Sequence, residues 1–196
     1  MFKRLFDLFF SALGLLLLSP VLLFIGLWVL LDSPGGMFFR QVRVGRNGKD
    51  FRLFKFRSMR VGSEAKGQLT VGAADSRITR SGLFIRKYKV DELPQLLNVL
   101  LGDMSLVGPR PEVPRYVSLY NAEQKRVLEV RPGITDYASI EYVNENELLS
   151  KAADPEKMYI EEIMPAKLKL NLKYIQEQGV ATDFKIILNT ILKIVS

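Results

Sequence analysis

The chain of 196 residues contains neither cysteine nor histidine. Without cysteine there is no disulfide framework, no thiolate nucleophile and no thiolate metal site. Without histidine, Ser-His-Asp chemistry and His-ligated zinc are excluded as well. Acid–base or nucleophilic work therefore falls to carboxylates, lysine, tyrosine or serine, and any metal must be a hard cation taking oxygen ligands. Internal repeats and low-complexity tracts are also missing.

Positive charge and apolar residues are abundant. The 28 Lys and Arg against 21 Asp and Glu leave a net charge of +7. Such a balance implies anionic company, whether nucleic acid, a membrane surface or a phosphorylated substrate. The length fits one compact domain with an appendage.

That appendage is at the front. From Leu8 to Leu31 no residue is charged and most are Leu, Phe, Val or Ile. At ~1.5 Å per residue the run exceeds the ~30 Å hydrocarbon core of a bilayer. A cleaved signal peptide fits poorly, because the run is long and no small-residue cleavage site follows it. Lys3 and Arg4 precede the run, and Arg40, Arg43, Arg46, Lys49, Arg52, Lys55 and Arg57 follow it. The positive-inside bias thus pulls both ends to the cytoplasmic side. Pro20 favours a kink near the middle, and the Ser19 hydroxyl is placed to satisfy a carbonyl freed there. A kinked, re-entrant helix satisfies both observations better than a straight span. Asp32 to Gly36 breaks the pattern and marks the boundary between residues 1–34 and a domain of residues 35–196.

Beyond the boundary, Met37 to Met59 reads as a hairpin turning at Gly45-Arg46-Asn47-Gly48. On its second strand Lys55 and Arg57 share one face and Phe54 and Phe56 the other, the pattern of a solvated basic face over a core face. Gly62 to Asp75 is polar and glycine-rich and reads as a mobile loop. Ile78 to Lys89 reads as a basic helix, and Gln95 to Leu101 as a short apolar helix stopped by Gly102. Gly108-Pro109-Arg110-Pro111 is a stiff loop. Glu112 to Glu129 reads as helix, and so does Pro155 to Gln178 with an interruption at Pro165. Phe184 to Val195 carries a one-sided apolar stripe that suits either a core or a membrane surface.

Chemistry concentrates at Arg86-Lys87-Tyr88-Lys89-Val90-Asp91-Glu92-Leu93-Pro94-Gln95. Two adjacent carboxylates stand at the mouth of a helix, since Pro94 is tolerated only in a first turn. Asp91 as a helix cap and Glu92 as a dipole partner is one reading. The other is catalytic. In a chain without His or Cys, a carboxylate is the natural nucleophile toward a phosphoryl group, giving an acyl phosphate. Cations must then neutralise the diphosphate under attack. Flanking prolines hold the Arg110 fork ready for bidentate phosphate contact, and a structural salt bridge would explain the tripeptide as well.

Taken in order, these pieces resemble the bacterial sugar transferase family, the small monotopic phosphoglycosyl transferases. The matching segments are Lys3-Arg4 with Asp7, Ser19-Pro20, Phe54-Lys55-Phe56-Arg57-Ser58-Met59 and Asp91-Glu92-Leu93-Pro94-Gln95. They continue with Gly102 to Pro111 and with Arg131-Pro132-Gly133-Ile134-Thr135. The resemblance implies an α/β fold: a re-entrant membrane helix kinked at Ser-Pro, helices around a short antiparallel sheet, and interfacial amphipathic helices. It implies a two-step reaction on the cytoplasmic face of the bacterial inner membrane. Asp91 attacks the β-phosphorus of a UDP-sugar, UMP leaves, and polyprenol (undecaprenyl) phosphate takes the sugar phosphate. By the same resemblance, Glu92 with Asp91 holds Mg²⁺ or Mn²⁺. Lys55, Arg86, Arg110 and Arg131 are carried over as substrate contacts. The family's usual Gly-Leu-Ala-Gln after Ile-Thr is replaced by Asp136-Tyr137-Ala138-Ser139, which leaves the sugar open. Two other classes compete: a membrane-tethered basic adaptor or nucleic-acid binder that does not need Asp91, and an exported domain on a signal anchor.

Overall fold

A computed structural model describes residues 2–63 and 75–195. It opens with helix α1, Phe2–Asp32, which contains Pro20 and spans about 46 Å at ~1.5 Å per residue. Proline at position 20 leaves the Leu16 carbonyl without its usual amide donor. The Ser19 hydroxyl donates to that carbonyl at 2.8 Å.

Both ends of α1 are tied to the rest of the chain. At the start, Lys3 Nζ donates to the Val107 carbonyl at 3.1 Å and reaches Tyr174 and Asp183. Arg4 donates to the carbonyls of Val99 and Leu100, and the Asp7 carboxylate accepts from Ser105 Oγ at 3.0 Å and Leu106 N at 3.1 Å. At the far end, Ile25 and Val29 are buried against Phe56 and Ile85. Arg57 closes that end. Its guanidinium donates to the carbonyls of Val29, Ser33, Pro34 and Gly36 and to the Ser33 hydroxyl. The last carbonyls of a helix have no partner of their own, so this one side chain satisfies groups that burial would otherwise strand.

Strands β1 (Phe38–Val44) and β2 (Asp50–Phe56) form the expected antiparallel hairpin, with Phe38 opposite Phe56. Asn47 and Gly48 at positive φ turn it. Lys55 and Arg57 share a face, but that face is not solvated: Arg57 is 5% exposed and Lys55 is turned into an ion pair. The basic residues are spent inside.

Helix α2 (Arg80–Lys87) follows, capped by Thr79, and the Asp32 carboxylate at the end of α1 accepts from Ser81 N and Oγ. Most of the 62–75 stretch expected as a mobile loop lies outside the described residues. Helix α3 (Gln95–Leu101) ends at Gly102, whose φ of +98° suits only glycine. Buried Asn98 docks α3 on the open edge of β2, accepting from Phe54 N and donating to the Arg52 carbonyl, each at 2.9 Å. One side chain thus imitates a neighbouring strand.

A second sheet was not foreseen. Strands β3 (Ser105–Val107) and β4 (Gly133–Thr135) pair in parallel, Ser105 with Gly133. The expected 112–129 helix is broken. Helix α4 (Pro114–Val117) stops, and a fresh turn at Gln124–Glu129 starts where Asn121 and Gln124 exchange side-chain-to-backbone hydrogen bonds at 2.9 Å. That is a capping box, and it begins a new element. Three short helices follow: α5 (Tyr137–Glu141), α6 (Glu145–Ser150) and α7 (Pro155–Met158). A wide turn, Tyr159–Ile163, leads into α8 (Met164–Glu177), which places Pro165 in a first turn where its missing amide does no harm. Helix α9 (Val180–Val195) ends the described chain.

The main core gathers Val44, Val113, Tyr116, Leu149, Tyr159 and Ile163 under α8. The α9 stripe faces away from it. Ile186 and Asp183 point in, whereas Phe184, Leu188, Ile191 and Leu192 are 48–59% exposed. On α2, Leu83 and Phe84 are likewise exposed, as is most of the long apolar side of α1. The architecture is therefore a mixed one: helices around two short sheets, with one helix long and apolar enough to cross a membrane.

Candidate active site

Four elements converge on one cavity of about 990 Å³. Strand β2 supplies Lys55, the last turn of α2 supplies Arg86, and the turn between α2 and α3 supplies Asp91 and Glu92. The Gly108–Pro111 loop supplies Arg110. All five residues line the cavity. The volume is at the upper end of what small-molecule sites enclose.

The local reasons are specific. Lys89 adopts a left-handed backbone (φ 56°), which turns the chain sharply out of α2 and into the short turn Val90–Glu92. The Asn98 clamp then holds that turn beside β2. The Arg110 loop is held by a close crossing of two glycines. Gly133 N donates to the Pro109 carbonyl at 3.0 Å, and Gly108 N donates to the Thr135 carbonyl at 3.1 Å. A Cβ on Gly133 would come within 2.0 Å of Gly108 N, so no side chain fits.

Within this frame the two carboxylates differ. Glu92 accepts from Lys55 Nζ at 2.7 Å, from Arg110 Nη1 at 3.2 Å, and from Arg110 Nη2 on its other oxygen. Burial would raise its pKa, but Arg110 and Lys55 outweigh burial and hold it well below the usual carboxylate range. Asp91 is 6% exposed, and no donor among the described residues reaches its carboxylate. It therefore caps no helix. Burial pushes its pKa up, against the opposing pull of Lys55. Lys55 in turn is lowered by burial while Glu92 draws it back up. One carboxylate is paired and fixed, and its neighbour is bare.

Lys89, Arg43 and Asp136 also belong to the site, although sequence reasoning did not single them out for it. Lys89 lines the cavity and acts electrostatically on Asp91 together with Arg86. Arg43 donates to the Pro111 carbonyl and Glu112, both at 3.0 Å, and so braces the loop that carries Arg110. The fully buried Asp136 accepts from Arg110 N at 3.1 Å and from Ser139 N at 2.6 Å. Its signal was legible, since Asp before a short helix is a standard N-cap. Arg131 is not brought to the cavity. Its Nε donates to the Gly102 carbonyl at 2.9 Å, which secures the end of α3.

The donor set bears on a metal. No cluster of three or more Asp or Glu side chains placed to hold one occurs among the described residues. A carboxylate offers about four acceptor positions, and Glu92 uses three of them on Lys55 and Arg110. Asp91 and the remaining Glu92 lone pair fit a hard cation bound by one or two carboxylates with phosphates completing its shell. An all-protein cage is not there.

Chemically the site is a positive recess around a bare carboxylate. Lys55, Arg86, Lys89 and Arg110 stand against Asp91 and Glu92. The excess of cations suits a diphosphate. The wall toward α1 and α9 is apolar, with Phe6, Phe10, Phe184, Ile187 and Ile191.

Known proteins are similar to this chain along most of its length. A UDP-glucose:undecaprenyl-phosphate glucose-1-phosphate transferase of Escherichia coli (strain K12) is 39% identical over 199 residues, covering 97% of this chain and 39% of that protein. The uncharacterized sugar transferase EpsL of Bacillus subtilis (strain 168) is 41% identical over 192 residues, covering 98% of this chain and 86% of that protein. A UDP-N-acetylgalactosamine-undecaprenyl-phosphate N-acetylgalactosaminephosphotransferase of Aeromonas hydrophila is 38% identical over 192 residues, covering 96% and 42%. The chain thus spans about two fifths of the Escherichia coli and Aeromonas proteins and most of the Bacillus one. The family model described as bacterial sugar transferase matches residues 1–196, and with these relatives at 38–41% identity the chain belongs to the bacterial sugar transferase family.

Proposed function

We propose that the protein transfers a sugar 1-phosphate from a UDP-sugar to polyprenol phosphate, undecaprenyl phosphate among them, and releases UMP. The observation that carries this reading is Asp91, a buried carboxylate that meets no donor among the described residues and shares one cavity with Lys55, Arg86, Lys89 and Arg110. The printed activities of the Escherichia coli and Aeromonas relatives support the classes of donor and acceptor.

In the first step an Asp91 oxygen attacks the β-phosphorus. The bond from that phosphorus to the bridging oxygen breaks, and UMP leaves with the electron pair. The product is an aspartyl phosphosugar. In the second step a phosphate oxygen of the lipid attacks the same phosphorus, the Asp91 carboxylate departs, and a polyprenyl diphosphate sugar forms. Glu92 orients Lys55 and Arg110, and these with Arg86 face the charge that builds on phosphate oxygens. The Asp91–Glu92 pair would hold Mg²⁺ or Mn²⁺, which would supply charge to neutralise the diphosphate.

The apolar helix is read as re-entrant in the inner membrane, with residues 35–196 on the cytoplasmic face. Supporting this, Lys3 and Arg4 at one end of α1 and Val29 at the other are bound to the same domain. A straight span would part those ends by the thickness of the bilayer. The exposed apolar sides of α1, α2 and α9 then sit at or in the membrane, and the apolar wall of the cavity meets the lipid acceptor. The nucleic-acid reading loses two of the hairpin's cations, because Lys55 and Arg57 are engaged inside the protein.

The test is UMP release by purified protein given UDP-sugars, Mg²⁺ and undecaprenyl phosphate. Wild type releases UMP, Asp91→Asn does not, and omitting the lipid traps a phosphosugar adduct on Asp91 by mass spectrometry. Absence of UMP across a broad donor panel, or an Asp91→Asn rate equal to wild type, overturns the proposal.

A further inference from the structure

The cavity extends past Arg110 between α5 and α8, where two polar atoms have no partner. Ser139 Oγ and Asn171 Oδ1 are shut away from solvent and make no hydrogen bond. Asn171 is 4% exposed, and both residues line the cavity. A buried polar atom left unpaired is costly, so native proteins keep few of them without a use.

The place of Ser139 is set by Asp136, and Asn171 lies on α8, which packs against the helix carrying Ser139. One carboxylate oxygen accepts from Arg110 N and the other from Ser139 N. The backbone of Ser139 is therefore locked beside the backbone of Arg110. The Arg110 guanidinium in turn holds Glu92, the neighbour of Asp91. We propose that Ser139 and Asn171 recognise the hydroxyl or acetamido groups of the donor's sugar ring. This inference rests on the transfer reading above.

The geometry of a nucleotide sugar argues for the sugar over the base. The phosphorus attacked by Asp91 carries the sugar directly, through one oxygen. The uridine lies one phosphate further away. Polar groups locked next to Arg110 are thus next to the sugar. Their chemistry agrees: a hydroxyl and a carboxamide both donate and accept, which matches neutral hydroxyls and amides. A site built to pair such a group discriminates against a donor that lacks it or presents it with inverted configuration.

The experiment uses the full chain, with Ser139→Ala and Asn171→Ala assayed on UDP-glucose, UDP-galactose, UDP-N-acetylglucosamine and UDP-N-acetylgalactosamine. Three quantities are read: kcat/KM for UMP release with each donor, the inhibition constant of UMP, and the melting temperature. The expected result is a fall of at least about tenfold in the ratio between the best donor and its analogues. The UMP constant should stay within about twofold, since uridine contacts are untouched. An equal fall for all donors, with or without a weaker UMP constant, overturns the inference. If Asn171→Ala loses its melting transition, Asn171→Ser takes its place under the same criteria. Wild type that releases no UMP from any donor sinks the transfer reading, whereas active wild type with unmoved ratios in the variants sinks only this inference.

Discussion

The two terminal nitrogens of Arg110 reach both carboxylate oxygens of Glu92, while Asp91, one residue earlier, meets no donor among the described residues. Neighbours in sequence are thus held in opposite electrostatic conditions. The first consequence concerns the arginine fork. Arg110→Lys replaces a planar two-point contact with a single ammonium. Charge-assisted hydrogen bonds contribute about 1.5–3 kcal/mol, so kcat/KM for UMP release should fall roughly ten- to a hundredfold at about 1.4 kcal/mol per decade. An Arg110→Lys enzyme as fast as wild type would remove Arg110 from the mechanism.

The second prediction follows from burial of Asp91. As the proposed nucleophile Asp91 must be ionised, and burial raises its pKa above that of an ordinary aspartate. The acid limb of the first half-reaction, read as the pH profile of single-turnover UMP release, should therefore lie above about pH 4. Lys55 pulls the Asp91 pKa down. Its replacement in Lys55→Met should move the limb to higher pH. A limb that stays put or moves down contradicts the assignment.

Stability should run the other way. A carboxyl whose pKa is raised on folding favours its protonated form, so stability falls as pH rises from the ordinary aspartate value through the raised one. At neutral pH the folded protein then carries a charge held at a cost. Asp91→Asn removes it, and a gain of about 1 kcal/mol would appear as a melting temperature roughly 2–4 °C higher for a chain of this size. Calorimetry in detergent at pH 7.5 checks it, and a lower melting point would show that Asp91 is paired.

The Arg57 cap gives a fourth prediction. It donates to four carbonyls and one hydroxyl where α1 meets the domain. Lysine has three donors and no fork, so Arg57→Lys should lose roughly 2–4 kcal/mol through stranded carbonyls and broken charge-assisted bonds. Urea or thermal unfolding in detergent measures it, and limited proteolysis near Ser33 should become faster.

Topology is the fifth. The chain has no native cysteine, so Leu5→Cys and Gly36→Cys are each unique labels. Both should react with a membrane-impermeant maleimide only in inside-out vesicles. Labelling of one from each side would establish a through-going span instead.

Much of this was legible from the residues. The uncharged stretch to Leu31, the turn at Asn47-Gly48 and the stop at Gly102 all rest on local signals, whereas Lys55 was placed near the carboxylate pair only through the family resemblance. What was missed depends on distance along the chain. Arg57 alternates with Lys55 as a solvated face would, and nothing nearby announces that its acceptors lie more than 20 residues upstream. The β3–β4 pairing joins two three-residue strands, too short to show a period. Arg131, carried over from the family resemblance as a substrate contact, donates to the Gly102 carbonyl 29 residues upstream, a partner that no local signal announces. The break within 112–129 was readable in Asn121 and Gln124, because that spacing is a helix start.

Lys3 is joined to Asp183, 180 residues later in the chain. During synthesis at ~5–20 residues per second, the partner appears on the order of 10–40 s after the lysine. For that interval the most apolar segment of the protein is complete while one of the partners that tie down its first turn does not exist. Newly made chains must therefore shelter α1 elsewhere, in lipid or on a chaperone, and the last helix closes the assembly. Pausing or truncating translation before Asp183 should leave a membrane-bound species whose amino-terminal turn is open to protease.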